Sequence, residues 1–501
     1  MQQPQFEAVI IGAGFGGMGM AIQLRQMGIH NICILEEQSD VGGTWHINQY
    51  PGLSVDIDSV TYSYSFEPNP FWSRTFATGD ELKRYAVHVA EKYDLRPLMR
   101  FGSLVEAAQY DEENHFWTVW CRDQAPITGR LLIVATGYLS HPKIPDIKGL
   151  DDFRGKMMHT AKWEHDYDLK GKRVAIIGTG ATSVQLAPAI APIVQHLSVF
   201  QRTPVWVMPK TDVPIPKAVQ QLFYRLPITQ RLARYASSSA LEMLMVLAVL
   251  HYQEFPILAR SAEQISKRFL KLQIKDPILR QKLLPNYSFG CKRPARSNEY
   301  WPTFNRNNVS LVTEGIERIV ADGIITTDGK HHPIDTLLMA TGFKVWDRGN
   351  TPAFEITGKN GLNLFDFWME QRFQAYEGLT IPNFPNLFNM PSPFSFTGLS
   401  YFFTIEAHMR HLQRIVGKMY AQGSTEVEVT EQANREFRAK MMDNMQKTVF
   451  VLGNCSESNS YYFNSHGEAL FLRPTTTPLV LWNAARIPYT HYHFRALPMP
   501  A

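Results

Sequence analysis

Two glycine-rich turns constrain this 501-residue chain more than any other feature. The segment FEAVIIGAGFGGMGMAIQLRQMG, starting at Phe6, has an apolar run, closely spaced glycines and then helical periodicity. The segment KRVAIIGTGATSVQLAPAIAPIV, starting at Lys172, repeats that order. A buried strand, a tight turn and a helix are typical of a unit that binds a dinucleotide at the helix N-terminus. The sequence therefore predicts an α/β fold with two Rossmann-like dinucleotide-binding domains.

The first turn has the spacing of a flavin or nicotinamide site. Gly12, Gly14 and Gly17 form GxGxxG, which lets the backbone approach a pyrophosphate closely. Glu36 ends the next apolar run, 24 residues after Gly12. An acid at this place accepts hydrogen bonds from ribose hydroxyls and repels a 2′-phosphate. We therefore expect FAD or NAD here, and not NADP.

The second turn differs from the first in charge. Gly178, Gly180 and Ser183 form GxGxxS, and Arg202 follows 24 residues after Gly178, where the first unit has an acid. A guanidinium pairs with two phosphate oxygens at once, so Arg202 and the neighbouring Thr203 hydroxyl are candidates for binding a 2′-phosphate. Two sites of opposite preference predict electron transfer from NADPH to a flavin.

The rest of the chain is assigned to these two units by composition. Apolar runs at 131–137 and 335–343 both stop at Ala-Thr-Gly, one after each glycine-rich turn. Residues 210–286 are helical by pattern, and the last stretch is aromatic-rich. We expect an FAD-binding domain first part over 1–143, an NADP-binding domain over 144–209 and 287–345, a helical insertion over 210–286, and a C-terminal return to the FAD domain and substrate pocket over 346–501.

Composition excludes several classes of function. Hydrophobic residues make up 45% and charged residues 19% of the chain, which suits a globular enzyme of two or three domains. The net charge of +4 is too small to indicate nucleic acid. The four cysteines are far apart and form no CxxC pair, so we expect no dithiol centre, no metal site and no disulfide framework. This pattern and the lack of a signal peptide favour the cytoplasm.

One apolar run raises the question of a membrane. Twelve helical residues at 239–250 would span roughly 18 Å, against a bilayer core of about 30 Å. We therefore expect a core or substrate-cap helix and no integral membrane span. Peripheral membrane contact is the minor alternative. The oligomeric state stays open.

A further set of motifs resembles a known family. FRGKMMHTAKW fits FxGxxxHxxxW with Phe153, Gly155, His159 and Trp163, although Glu164 follows where the family has Pro or Asp. GGTWHINQYPGLSVD and GCKRP also match family signatures. From about residue 7 to 410 the chain resembles flavin-dependent class B monooxygenases, most closely Baeyer–Villiger monooxygenases. The Tyr-rich tail at 453–474 is closer to divergent members.

The resemblance implies a reaction. NADPH would reduce FAD, the reduced flavin would add O₂ as a C4a-peroxide, and that species would insert one oxygen atom beside a ketone carbonyl to give an ester or lactone. A fixed cation beside the peroxide would stabilise its negative oxygen. Arg293 is the candidate catalytic residue, with Asp56 as its partner, and Lys292 would bind the 2′-phosphate beside Arg202. The substrate would be an apolar small ketone.

The resemblance also implies further cofactor contacts and a linker role for the FxGxxxHxxxW motif between the domains. His159 and Trp163 would couple domain rotation to catalysis, and the alternative is a simple packed linker. The run 392–403 would shape the substrate pocket. Contacts to FAD are expected from Phe15, Gly16, Gly43, Thr44, Trp45, Asp56, Tyr62 and Val105; contacts to NADP are expected from Ser54, Val55, Asp56, Thr179, Ala181, Thr182, Gln185 and Arg293.

Three alternatives remain at this level. A flavin monooxygenase that oxygenates amines or sulfides shares both glycine turns. A two-nucleotide reductase is disfavoured by the missing CxxC and by the insertion at 210–286. A non-enzymatic flavoprotein would be anchored to a membrane through 239–250.

Overall fold

The strand before the first glycine-rich turn lies inside an eight-stranded sheet. The computed structural model describes residues 2–497. Phe6–Ile11 lies between two parallel neighbours, Ile32–Leu35 and Ile127–Val134. Positions 8–11 and 32–35 are buried on both faces, as expected for a parallel sheet covered on both sides. The other strands of this sheet are Met99–Arg100, Val105–Asp111, Phe116–Cys121, Glu355–Thr357 and Leu387–Asn389.

The strand before the second glycine-rich turn belongs to a separate five-stranded sheet, in which all neighbouring strands are parallel. Arg173–Ile177 is its central strand and pairs with His196–Phe200 and Thr336–Met339. The outer strands are Val309–Val312 and Lys156–His159. The predicted α/β architecture with two Rossmann-like units is confirmed.

The chain crosses between these sheets more than once. Residues 156–200 and 309–339 build the second sheet, after which Glu355–Thr357 and Leu387–Asn389 return to the first. The interval between 210 and 286 contributes helices and no strand of either sheet. The domain boundaries given above stay predictions. The smaller sheets are formed by Ile316–Val320, Gly323–Thr326 and His331–Pro333, by Val207–Met208 and Ala295–Arg296, and by Glu426–Val429 and Tyr492–Arg495.

The helices cover the sheets and form the insertion. Their longest uninterrupted α-helix packs against the helix of the first glycine-rich turn. The α-helices are Phe15–Gln26, Thr44–Ile47, Gly79–Lys92, Ala181–Ile190, Lys217–Arg225, Pro227–Leu241, Ala248–Leu250, Pro256–Gln273, Pro277–Leu283, Tyr300–Thr303, Leu364–Gln371, Tyr401–Ala421, Glu431–Met445, Val449–Leu452 and Thr477–Ala484.

The apolar run at 239–250 is part of a longer helix than expected. Pro227–Leu241 continues through a π-helical segment, Glu242–Leu247, to Leu250, giving 24 residues and about 36 Å. An 18-residue window has mean hydropathy 1.3, and 28% of it is buried. By length and composition alone this helix could cross a bilayer, since the run at 239–250 is only its C-terminal half. The absence of an integral membrane span stays a prediction. Its C-terminal end, including Val246 and Leu250, does lie in the core.

A disulfide joins Cys291 to Cys455, whose Cα atoms lie 5.2 Å apart across 164 residues of sequence. The expectation of no disulfide was wrong, because the fold brings together two cysteines that no sequence spacing connects. Cys33 and Cys121 are free and buried. Disulfides persist best in oxidising surroundings. The cysteines therefore do not support a cytoplasmic location, and that location stays a prediction.

We expect the protein to show two reactive thiols, not four, when it is denatured without reductant. The Cys455→Ser variant should lose about 2–5 kcal/mol of unfolding free energy, because the cross-link restricts a long loop in the unfolded chain. Thiol titration and denaturant unfolding measure the two effects. Cys121→Ser is the matched control, since Cys121 forms no cross-link. Four titratable thiols in the oxidised protein would contradict the bond.

Candidate active site

The first glycine-rich turn is shaped by a close approach of two backbones. Gly12 has φ +106°, and a Cβ atom there would lie 2.7 Å from the Ala135 carbonyl oxygen. A Cβ on Gly17 would overlap the Gly12 carbonyl oxygen. Side chains at Gly12 and Gly17 are therefore excluded by geometry, which explains the first and third glycines of the motif.

Two glycines that face each other keep side chains away from the start of the first helix. A Cβ on Gly43 would lie 3.2 Å from the Cα of Gly14, so neither loop places a side chain between them. The helix Phe15–Gln26 begins at Gly14 with no side-chain cap and no acid in its first turn. Its free N–H groups and helix dipole favour a negative ligand. Phe15 is buried and Gly16 faces Met390, so both support the turn.

Glu36 lies where the ribose site was predicted. Its carboxylate accepts hydrogen bonds from Ala13 N at 2.6 Å and Gln38 N at 2.8 Å. Burial raises the pKa of Glu36, and these two backbone donors oppose that rise. Ser103 N donates to the Glu36 carbonyl, which brings the chain leading into the buried Val105 beside this site.

Aromatic side chains follow the second loop of this unit. The short helix Thr44–Ile47 begins after Gly43. Trp45 Nε1 donates to the Tyr62 hydroxyl at 3.1 Å, and the two rings meet edge to face with centroids 5.5 Å apart. Tyr62 also contacts Phe402 edge to face. Together these residues form a fixed aromatic wall beside the facing glycines.

The second turn repeats the construction of the first. Gly178 has φ +114°, and its Cβ would overlap the Ala340 carbonyl oxygen. Ala340 begins the second Ala-Thr-Gly turn, as Ala135 begins the first. A Cβ on Gly180 would meet no atom within 4 Å among the residues described. The helix Ala181–Ile190 starts at Gly180 without a side-chain cap, so its N–H groups are open to a phosphate.

The small residues of this turn differ in burial. Thr179 is buried and donates to the Thr203 carbonyl at 2.6 Å. Ser183 is fully buried, so it fills the place of a third glycine and does not face the open turn. Ala181 is exposed and Thr182 half-buried, at the helix start where a phosphate would lie.

Two cations lie at the predicted 2′-phosphate site. Arg202 is exposed, and Lys292 is half-buried near it. Burial, together with the positive charge of Arg202, lowers the pKa of Lys292 to about 8. Two cations held close together are favourable only when an anion lies between or beside them, so this pair fits a phosphate dianion.

Gln185 links the second unit to the loop of the first. Its side chain donates to the Ser54 carbonyl at 2.9 Å and accepts from the Tyr50 hydroxyl at 3.0 Å. Ser54 also accepts a hydrogen bond from Lys210 Nζ at 3.0 Å. Lys210 was missed by the sequence analysis, because it lies in a segment with no motif. The predicted Val55 is buried and pairs with Ala77 through its backbone.

Arg293 and Asp56 form an ion pair between the two halves of the molecule. Arg293 Nε donates to Asp56 Oδ2 at 2.9 Å, and one Nη donates to Oδ1 at 3.3 Å. The side chains are only 20% and 29% exposed. Burial would lower the pKa of Arg293, but Asp56 outweighs it and raises that pKa. Burial would raise the pKa of Asp56, but Arg293 holds it below its ordinary value. Both groups therefore stay charged.

Two tail tyrosines approach this pair. Burial raises the pKa of Tyr461 and of Tyr462, and the nearby Arg293 charge opposes the rise in each case. The Tyr-rich tail is evident in the sequence, but no sequence motif places it at the site. The only available signal was the concentration of aromatic residues around 461–463. The tail also reaches the second turn, where Asn459 Nδ2 donates to the Thr203 hydroxyl at 2.7 Å.

The FxGxxxHxxxW residues pack on the second unit. Phe153 lies in its core, and a Cβ on Gly155 would come within 2.5 Å of the Asp335 carbonyl oxygen. His159 ends a strand, is buried and meets Phe343 edge to face, and burial lowers its pKa. Trp163 is half-buried against the same unit. Their role in coupling domain rotation to catalysis stays a prediction.

The two glycines of the second turn should respond differently to a methyl group. Gly180→Ala should keep its melting temperature within about 2 °C of wild type, because its backbone is ordinary and its Cβ meets nothing. Its Kd for NADP⁺ should rise about tenfold, because the methyl enters the pyrophosphate space.

Gly178→Ala is the matched variant, and it should lose about 2 kcal/mol of stability or more through strain. Thermal denaturation and NADP⁺ titration separate the two effects, and FAD content should be unchanged in Gly180→Ala. Wild-type NADP⁺ affinity in Gly180→Ala would contradict this site.

The affinity for NADPH should fall as the pH rises through the pKa of Lys292. The charged ammonium attracts the 2′-phosphate, and above a pKa of about 8 the free protein increasingly holds it neutral. We expect Kd to rise about tenfold between pH 7 and pH 9. Fluorescence titration at each pH measures this change.

Two controls test the assignment to Lys292. Binding of NADH, which lacks the 2′-phosphate, should not follow this pH dependence, and Lys292→Arg should remove it. Parallel pH curves for NADPH and NADH would show that Lys292 does not contact the 2′-phosphate.

The residues present fit two dinucleotides: an uncapped helix facing glycines with an acid in the first unit, and an open turn with two cations in the second. No cluster of metal-ligating side chains occurs within 2–497.

Residues 9–243 match the family described as pyridine nucleotide-disulphide oxidoreductase. Over 487 residues the chain is 37% identical to a Baeyer-Villiger monooxygenase of Streptomyces coelicolor, covering 96% of this chain and 91% of that relative.

Solved structures agree with the sequence relatives. OTEMO in complex with FAD and NADP superposes with a TM-score of 0.87 at 28% identity, covering 98% of this chain and 100% of that chain. The cyclohexanone monooxygenase of Rhodococcus sp. Phi1 bound to NADP⁺ has a TM-score of 0.86 at 28% identity, covering 99% and 100%. Identity of this extent, together with the two glycine-rich turns and the shared fold, shows that the chain belongs to the Baeyer–Villiger monooxygenase family.

Proposed function

We propose that this flavin monooxygenase inserts one oxygen atom beside the carbonyl of an apolar ketone, giving an ester or lactone, with Arg293 and Asp56 as its charge-bearing residues. The observation that carries this proposal is their ion pair, which lies between the two nucleotide units and beside the tail tyrosines. FAD binds at the first turn and NADPH at the second. Bound FAD supplies the redox chemistry, taking electrons from NADPH and activating O₂ for transfer to the ketone.

Arg293 supplies a permanent positive charge at the reaction site. Asp56 keeps its pKa high, and a guanidinium does not release a proton at physiological pH. Negative charge that develops on an oxygen during transfer is stabilised by such a fixed cation, most strongly where water is excluded. Nε and one Nη face Asp56, and the Tyr462 hydroxyl also approaches the guanidinium.

Asp56 acts through Arg293 as a positioning residue. Two parallel hydrogen bonds fix the plane of the guanidinium and fix its direction. A charge that is already oriented needs no reorganisation when the reaction occurs. Without Asp56, Arg293 would keep its charge but lose both its orientation and its compensation.

The surroundings of the pair favour an apolar substrate. Residues 392–400, which form most of the predicted pocket run at 392–403, are all buried. Tyr138 donates to the Ser392 carbonyl at 2.6 Å and fixes this segment against the first unit. Aromatic rings of Phe396, Tyr401 and Phe471 pack together beside it. Such a wall excludes water and accepts hydrocarbon.

Oxygenation of amines or sulfides is the second candidate. It needs no stabilised anionic oxygen, because the heteroatom itself attacks the activated oxygen. The retained charge on Arg293 therefore favours the ketone reaction. A panel of ketones and thioethers, assayed with NADPH and ¹⁸O₂, tests this choice. Label found only in sulfoxide, with no ester from any ketone, would overturn the proposal.

Arg293→Ala should lower ketone oxygenation about 10²–10³-fold, because one charge-stabilising contact is lost. Flavin reduction by NADPH should continue, and the electrons should appear as hydrogen peroxide. Stopped-flow absorbance and product analysis separate these steps. Arg293→Lys, which keeps the charge without the paired geometry, should fall between Ala and wild type. A wild-type ester yield from Arg293→Ala would refute the assignment.

Asp56→Asn should slow both flavin reduction and oxygenation. The amide keeps the size of the carboxylate but loses the charge that orients Arg293. The matched control is Asp58→Asn, since Asp58 lies nearby but is 4.0 Å from its closest cation, Arg296. Equal rates for the Asp56 and Asp58 variants would show that the ion pair does not position Arg293.

A further inference from the structure

The insertion carries an exposed apolar surface that none of the nucleotide chemistry uses. Its side chains are between 43% and 70% exposed. Tyr224 of the insertion packs against Phe71 of the first unit, with ring centroids 5.3 Å apart. We call this surface the apolar face; it consists of Phe71, Leu222, Tyr224, Leu226, Ile228, Leu232 and Tyr235.

The helix from Pro227 divides into two sides. Ile228, Leu232 and Tyr235 follow a spacing of four and three residues and point outward, where all three are exposed. Gln230 and Arg234 lie on the opposite side and are buried. An amphipathic helix normally buries its apolar side and exposes its polar side, and here that order is reversed.

Polar contacts hold the inner side of this helix on the protein. Gln230 Nε2 donates to the Asn69 carbonyl at 2.7 Å. Arg234 donates to the Ser63 carbonyl at 2.8 Å and pairs with Glu406 at 3.8 Å. Thr477 N donates to Glu242 at 2.8 Å further along. These contacts hold the helix along the protein surface, so it lies flat and does not project as a membrane span.

The charged side chains on the two helices of this surface have one sign. Lys217, Arg225 and Arg231 are exposed on the same two helices. The sequence from 213 to 241 contains no Asp or Glu. Exposed cations next to exposed apolar and tyrosine side chains complement an interface of anionic headgroups and acyl chains.

We propose that the apolar face docks this enzyme onto the surface of an anionic lipid membrane. Leu226, Ile228 and Leu232 enter the acyl boundary, and Tyr224 and Tyr235 lie at the headgroup level. A second copy of the chain is a poorer occupant. A two-fold interface would set Lys217, Arg225 and Arg231 against their own copies with no acid in that segment to pair them.

Vesicle co-sedimentation of the full-length holoenzyme tests this proposal. Vesicles of equal phosphatidylglycerol and phosphatidylcholine should bind the protein, and phosphatidylcholine alone should bind it much more weakly. Arg225→Ser combined with Arg231→Ser should weaken binding to the anionic vesicles about 30-fold. Leu232→Glu combined with Tyr235→Glu should abolish it.

Leu272→Glu is the matched control, because Leu272 is 82% exposed, apolar and outside the apolar face. It should bind vesicles as wild type does, and all variants should keep their FAD and their NADPH oxidation in solution. Sedimentation velocity tests whether a second copy of the chain occupies the apolar face instead. The proposal would be overturned if the wild-type protein is a dimer and the Leu232→Glu, Tyr235→Glu double variant is a monomer. Equal binding to both vesicle types, or wild-type binding by that double variant, would also overturn it.

Discussion

The ion pair between Arg293 and Asp56 is the contact on which the site depends. Asp56 follows the aromatic loop of the first unit, and Arg293 follows the insertion in the second. Each charge compensates the other where both side chains are largely buried, so the pair is complete only with both units in place. In the proposed function, oxygen chemistry at the flavin and binding of the nicotinamide nucleotide would share this one ion pair.

Other contacts also join the second nucleotide unit to the rest of the protein and support the position of the ion pair. Gln185 reaches Ser54 on the far side, and Asn459 brings the tail to Thr203. Lys292 is adjacent in sequence to Arg293, so a movement of this segment shifts both cations. In the proposed function, this adjacency would connect occupancy of the nicotinamide site to the position of the guanidinium.

Much of this arrangement could be predicted from the sequence, because its signals are local. The glycine turns, Glu36 and Arg202 lie at fixed offsets from buried strands, and the structure places each of them at its turn. Gly12 and Gly178 face Ala135 and Ala340, which accounts for the two Ala-Thr-Gly endings. The Arg293–Asp56 pairing was also predicted, but from a family resemblance and not from local spacing.

The features that the sequence did not reveal depend on tertiary packing. Tyr462 and Lys210 reach the site from segments without a motif. The helix from Pro227 to Leu250 is longer than the apolar run at 239–250, because that run is only its C-terminal half. The Cys291–Cys455 bond joins positions that only the folded chain brings together.

That bond makes residues 291–455 a covalent ring. The ring contains Val309–Val312 and Thr336–Met339 of one sheet and Glu355–Thr357 and Leu387–Asn389 of the other. A protease that cuts one loop within the ring leaves a single covalent particle with strands still woven into both sheets. The nicked enzyme would therefore run as two fragments only after reduction, and its two nucleotide units would stay tethered through the cut.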